Sequence, residues 1–237
     1  MIILETILYT LLAGMAMPLG ALIAKFENIR PDWLESEVRH GVVAFGGGAL
    51  LSAVALVLVP EGIENLSVSS MTICFLGGGM SFLVLDIVIS SKAGQFGQLV
   101  AMLSDFIPEA LALGATFTTS PETGVLLAGI IALQNGPEGF NAYREFMVDG
   151  KLKPWTVIGI FSAMAFLGPI CGSIGYYTLS SSPDIVAGIM AFSAGGILYL
   201  VFQDIAPEVK LKKRWLPALG AVIGFLIGII GKSLTGG

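Results

Sequence analysis

The sequence is short of charge. Only 12% of its 237 residues are Asp, Glu, Lys or Arg, against roughly 25% in a soluble domain. It holds two cysteines, too few for a disulfide scaffold. Basic residues are outnumbered, 12 against 17 acidic, which argues against a nucleic-acid module. It holds one histidine. What fills the chain instead is apolar: 55% of it is hydrophobic, and the mean hydropathy is +0.87. That excludes intrinsic disorder. The remaining class is an all-α integral membrane protein.

A helix crosses the hydrocarbon layer in roughly 20 mostly apolar residues. Eight stretches qualify, at about Leu4–Ala24, Gly41–Pro60, Met71–Ser90, Phe96–Thr118, Thr123–Tyr143, Trp155–Leu179, Ile185–Asp204 and Leu216–Gly231. The first is read as a true span, because a signal peptide needs a basic leader and only Glu5 precedes its core. Gly46-Gly47-Gly48, Gly77-Gly78-Gly79 and Gly195-Gly196 fall inside spans, where small residues let helices approach closely. The loops are short, so residues 1–237 form a single transmembrane domain and function lies within the bilayer.

Charge sets the expected orientation. Lys25, Arg30, Arg39, Lys92, Arg144, Lys151, Lys153, Lys210, Lys212, Lys213 and Arg214 all fall in or beside odd-numbered loops. The even loops have none, and Lys232 lies in the C-terminal tail. The positive-inside rule places the odd loops in the cytoplasm and both termini outside.

Ionisable groups inside a span cost at least ~2.5–3.5 kcal/mol each on insertion scales. Span 4 reads Ser104-Asp105-Phe106-Ile107-Pro108-Glu109, and span 5 reads Gln134-Asn135-Gly136-Pro137-Glu138-Gly139. Asp105 and Glu109 are four apart, on one helix face, and so are Gln134 and Glu138. The two patches share a depth, so three carboxylates and two amides are expected to meet with no Lys or Arg at that level. Buried negative charge needs neutralising, by protons or by a cation. A divalent metal satisfies three carboxylates directly. Pro108 and Pro137 each leave a backbone carbonyl without its helical donor, as in the broken helices of transporters. Gln134, Glu138, Asn141 and Glu145 continue along one face of span 5, and Gln98, Met102, Asp105 and Glu109 along span 4. These stripes suggest an inner passage, with Glu145 beside Arg144 also readable as an interfacial pair.

These motifs resemble the ZIP (Zrt/Irt-like) divalent metal transporters. Their span 4 carries a His-Asn-x-Pro-Glu-Gly-like motif and their span 5 a related Pro-Glu-Gly segment. Ala191–Phe202, ending in Gln203-Asp204-Ile205-Ala206-Pro207-Glu208, is similar to the family's span 7, and Val59-Pro60-Glu61-Gly62 to the close of its span 2. The resemblance implies an eight-helix 3+2+3 bundle, with spans 1–3 and 6–8 related by inversion. It implies import of metal into the cytoplasm through ligands Asp105, Glu109, Gln134, Asn135 and Glu138.

Some features depart from the family pattern. Asp105 stands where the family has His, and Phe106 where it has Asn. His40 sits at a span mouth, as an interface residue. The His-rich loop before span 4 is reduced to Ser91–Gln95, and span 6 has no acid, so one full metal site is expected. An all-oxygen site suits harder cations than an imidazole site does. Zinc is therefore the family default, with manganese and ferrous iron as rivals. The metal is substrate, and no prosthetic group is expected. The lipid bilayer is the expected surrounding and nucleic acid is not a partner. A homodimer is left open, and the compact chain suggests the plasma membrane of a prokaryote. Two alternatives remain: a proton- or sodium-linked carrier, and a transport-inactive relative that senses metal. No His-Glu-x-x-His or Gly-x-Ser-x-Gly motif is present, which argues against an enzyme.

Overall fold

In a bilayer every backbone polar group must be satisfied within the segment, which leaves the helix as the spanning element for such a chain. The computed structural model describes residues 2–27, 32–92, 95–150, 152–209 and 216–235, and among these it is almost wholly helical, with no strand. Eight long helices follow one another. They are α1 (Ile2–Phe26), α2 (Ser36–Asn65), α3 (Val68–Lys92), α4 (Gln95–Thr119), α5 (Pro121–Asp149), α6 (Pro154–Leu179), α7 (Pro183–Glu208) and α8 (Leu216–Leu234). Each predicted span falls inside one of them.

Local chemistry sets the ends. Pro121, Pro154 and Pro183 open α5, α6 and α7, at positions where a missing N–H costs nothing. The Ser120 side chain accepts from the Thr123 N–H as the N-cap of α5. Gly150 closes that helix with φ 65°, the left-handed conformation glycine tolerates best.

Seven of the eight are long and apolar enough to cross a membrane by composition alone. The eighth, α5, is 29 residues long. Gln134, Asn135 and Glu138, in its middle, lower its hydropathy.

The helices pack as two groups. α1 packs on α5 and α6, and α4 also packs on α5 and α6. α2 packs on α8 and α7, and α3 on α7. Between the groups run α2 against α5 and α4 against α7. Exchanging α1 with α6, α2 with α7, α3 with α8 and α4 with α5 reproduces this pattern of neighbours. That is the pattern expected if spans 1–3 and 6–8 are inverted copies around α4 and α5.

Glycine makes the tight pairs. A Cβ added at Gly20 or Gly139 would strike the backbone carbonyl of Gly136 or Met17 between α1 and α5. Gly114 and Gly175 play the same part between α4 and α6, Gly48 and Gly224 between α2 and α8, and Gly78 and Gly195 between α3 and α7. Without a hydrophobic drive between helices in lipid, such backbone contact supplies the van der Waals attraction.

Two expectations change. α4 and α5 run through Pro108 and Pro137 as continuous helices. Local unwinding occurs elsewhere, as π-helical turns at Val54–Leu58 in α2, Gly175–Leu179 in α6 and Val201–Ile205 in α7. In α2 and α7 the π turn directly precedes the helical ending that holds Pro60-Glu61 or Pro207-Glu208. Arg144 pairs with Glu27 at the end of α1, so Glu145 is not simply its interfacial companion.

Arg30, Lys151, Lys210, Lys212, Lys213 and Arg214, on which much of the charge asymmetry rests, lie outside the described residues, as do the side chains of Lys92 and Gln98. Cys74 and Cys171 are free thiols. His40 Nδ1 is bonded to the Ser36 carbonyl at 2.6 Å. Asp86 in α3 accepts from the Tyr199 hydroxyl of α7 at 3.0 Å.

Candidate metal site

Four helices, α2, α4, α5 and α7, enclose a cavity of about 390 Å³. Gly46 and Gly47 form part of the α2 wall, leaving room that larger side chains would fill. Asp105 on α4 and Gln134 and Glu138 on α5 line its deep end. Asn141, Glu145 and Glu208 line the path to its mouth, beside the exposed Gln203 and Asp204. The predicted α5 stripe of Gln134, Glu138, Asn141 and Glu145 thus faces one continuous space. Among the described residues of the α4 stripe only Asp105 does so: Met102 is fully buried in the core, Glu109 is not on the cavity wall, and Ala101 lines it beside Asp105.

Asp105 and Gln134 are 4% and 2% exposed. Their Asp105 Oδ1 and Gln134 Oε1 atoms have no hydrogen-bond partner. Two buried acceptors left open at the head of a cavity are costly, and both are oxygens of the kind a divalent cation takes as ligands. Among the described residues, none of Asp105, Glu109 and Glu138 is ion-paired.

Glu109 does not line the cavity. It is 1% exposed, and the Gln134 Nε2 donates to both its oxygens, at 2.7 and 2.8 Å. Asn135 also points elsewhere: its Nδ2 donates to the Ala13 carbonyl of α1 at 3.0 Å. The structure therefore brings Asp105, Gln134 and Glu138 to the cavity, links Glu109 to them through Gln134, and turns Asn135 to the α1 side. Among the described residues no three His, Cys, Asp or Glu side chains already stand together as a metal cluster.

Beyond Glu109 the space closes. Val54, Val57 and Leu58 of α2, Leu113 of α4, Ile130 and Ile131 of α5, and Met190, Ala194 and Ile197 of α7 are buried in one apolar cluster. The site is open from one end of the bundle and sealed by packing toward the other.

A protein-family comparison bears on this arrangement. The ZIP zinc transporter family matches residues 91–235, a stretch that runs from the end of α3 through both Pro-Glu segments to α8. The chain belongs to the ZIP family. It is therefore a multi-pass membrane protein of a metal-transporting family, and a transporter rather than an enzyme. No curated protein matches the chain. The ZIP match includes Asp105, Glu109, Gln134, Asn135 and Glu138, while the Val59-Pro60-Glu61-Gly62 segment lies before it.

Sequence reasoning missed Arg39 and Glu208 as members of this site. In the sequence Glu208 reads only as a span ending and Arg39 only as a loop charge. Arg39 Nη2 lies 3.3 Å from Glu208 Oε1, and their separation in sequence hides the contact.

Proposed function

We propose that the protein carries a divalent metal ion, zinc or alternatively manganese or ferrous iron, into the cytoplasm through a site near the middle of the bilayer. Asp105, Gln134 and Glu138 would hold the ion, with Glu109 joining once Gln134 releases it, and Asn135 fixing α5 against α1 behind them. The observation that carries this reading is the pair of open buried acceptors, Asp105 Oδ1 and Gln134 Oε1, at the head of the cavity. Carboxylates that face such a space without a basic partner need a cation or protons for neutrality.

The direction follows from charge and access together. The cavity opens at the end where α2 begins and α5 and α7 finish, which the positive-inside rule assigns to the cytoplasm, with both termini outside. In that orientation this is an inward-facing arrangement, with the apolar cluster as the outer seal. Outward access then requires the α1–α4–α5–α6 group to shift against the α2–α3–α7–α8 group. We place the protein in the plasma membrane, without assigning an oligomeric state.

The test is uptake of Zn²⁺, Mn²⁺ and Fe²⁺ into proteoliposomes, with Glu138→Gln as the comparison. Saturable uptake that falls by at least about tenfold in the variant is expected, since a buried ligand charge is lost. Absence of uptake of every divalent ion by the wild type would favour a proton- or sodium-linked carrier, or a relative that only senses metal.

A further inference from the structure

The mouth of the cavity holds a cation of its own. Arg39 of α2 reaches across to α5 and α7. Its Nη2 donates to Glu208 Oε1, and its Nε and Nη2 both donate to Asn141 Oδ1, all at 3.3 Å. Asn141 Nδ2 donates in turn to Glu145 Oε1 at 2.7 Å and to Glu208 Oε2 at 3.4 Å. Asn141, Glu145 and Glu208 line the same cavity as Asp105, Gln134 and Glu138. An ion leaving the deep end, where Asp105 Oδ1 and Gln134 Oε1 stand open, must pass these oxygens to reach the mouth.

Two carboxylates and an amide oxygen are a donor set that suits a divalent ion. Left alone, they would retain an ion the deep site had released. The guanidinium changes that. It is permanently charged, and its planar fork matches carboxylate and amide oxygens. It already engages Glu208 and Asn141, and Asn141 ties down Glu145.

We propose that Arg39 is a positioning residue for metal release: a built-in competing cation that keeps Glu208, Asn141 and Glu145 from trapping the departing ion. The proposal rests on the transport reading above. The bonds it describes also cross from α2 and α7 to α5, between the two helix groups, so the mouth is where relative movement of the groups would be felt.

The test compares the wild type with Arg39→Gln, Arg39→Lys and the double variant Arg39→Gln/Glu208→Gln, each as the full chain. Zinc bound per chain is measured on purified protein, and zinc uptake in proteoliposomes. Arg39→Gln is expected to bind an additional zinc that the double variant does not. Its kcat and KM are expected to fall together, each about fivefold, leaving kcat/KM near the wild-type value, the pattern of slowed release. Arg39→Lys keeps the charge and should restore both constants. The proposal is overturned if Arg39→Gln binds no more zinc than the wild type. It is also overturned if kcat drops with KM unchanged, which a purely structural role would give. A wild type that moves no metal would sink the transport reading instead, and the zinc-binding comparison would still decide the role of Arg39.

Discussion

One amide nitrogen, Gln134 Nε2, sits between the two carboxylate oxygens of Glu109, at 2.7 and 2.8 Å. Both residues are almost completely buried. The amide is thus the present partner of Glu109, and its own oxygen is left open. A cation that recruits Glu109 must displace this donor, and Gln134 can then turn its oxygen to the ion. Under the proposed transport reading, Gln134 would be the donor that Glu109 exchanges for the ion.

That relationship predicts the behaviour of Gln134→Glu. The change replaces a donor by a carboxylate beside another carboxylate in a buried site, where like charges repel strongly. A divalent ion would relieve the repulsion, and ligands that bind only the folded state stabilise it. Zinc should therefore raise the melting temperature of the variant by at least about 5 °C more than it raises that of the wild type. Thermal unfolding in detergent with and without zinc measures this. An equal zinc effect in both proteins would mean that residue 134 does not face the ion.

Asp105 predicts selectivity. It lines the cavity with an open oxygen, at the position where the resemblance places histidine. Imidazole favours zinc over manganese more than a carboxylate does. Asp105→His should raise the ratio of zinc to manganese uptake about tenfold, read from competition in proteoliposomes. An unchanged ratio would remove Asp105 from the ligand set.

Much of this was legible in the sequence, and the illegible parts have physical reasons. Eight helices follow from bilayer thickness and hydropathy, and the shared face of Gln134, Glu138, Asn141 and Glu145 follows from helical spacing. Periodicity was less informative for adjacent residues. Gln134 and Asn135 are neighbours on a helix with 3.6 residues per turn, so they point about 100° apart, and only one of them enters the cavity. Whether Met102 faced the cavity or the core depended on what α4 packs against, which spacing along a single helix does not state. Pro60 and Pro207 each follow a π turn by two residues, whereas Pro108 and Pro137 sit in continuous helices, so a proline in the sequence does not by itself mark a π turn. Arg39–Glu208 and Arg144–Glu27 join residues 169 and 117 positions apart. One sequence without a fold offers no way to pair them.

The glycine contacts give a prediction that separates packing from chemistry. At Gly139 a Cβ would collide with the backbone of Met17 in α1, whereas at Gly129, on the same helix, nothing lies within 4 Å of an added Cβ. A backbone atom cannot move aside as a flexible side chain can, so Gly139→Ala must push α5 away from α1, at a cost of about 1–3 kcal/mol. Gly129→Ala meets no such neighbour and removes a helix-weakening glycine. Gly139 follows Glu138 directly, so the displacement also reaches the proposed metal site. The expected result is a lower melting temperature and weaker uptake for Gly139→Ala, with Gly129→Ala at or slightly above wild-type stability and wild-type uptake. Equal stability of the two variants would show that α1 and α5 are not in backbone contact at Gly139.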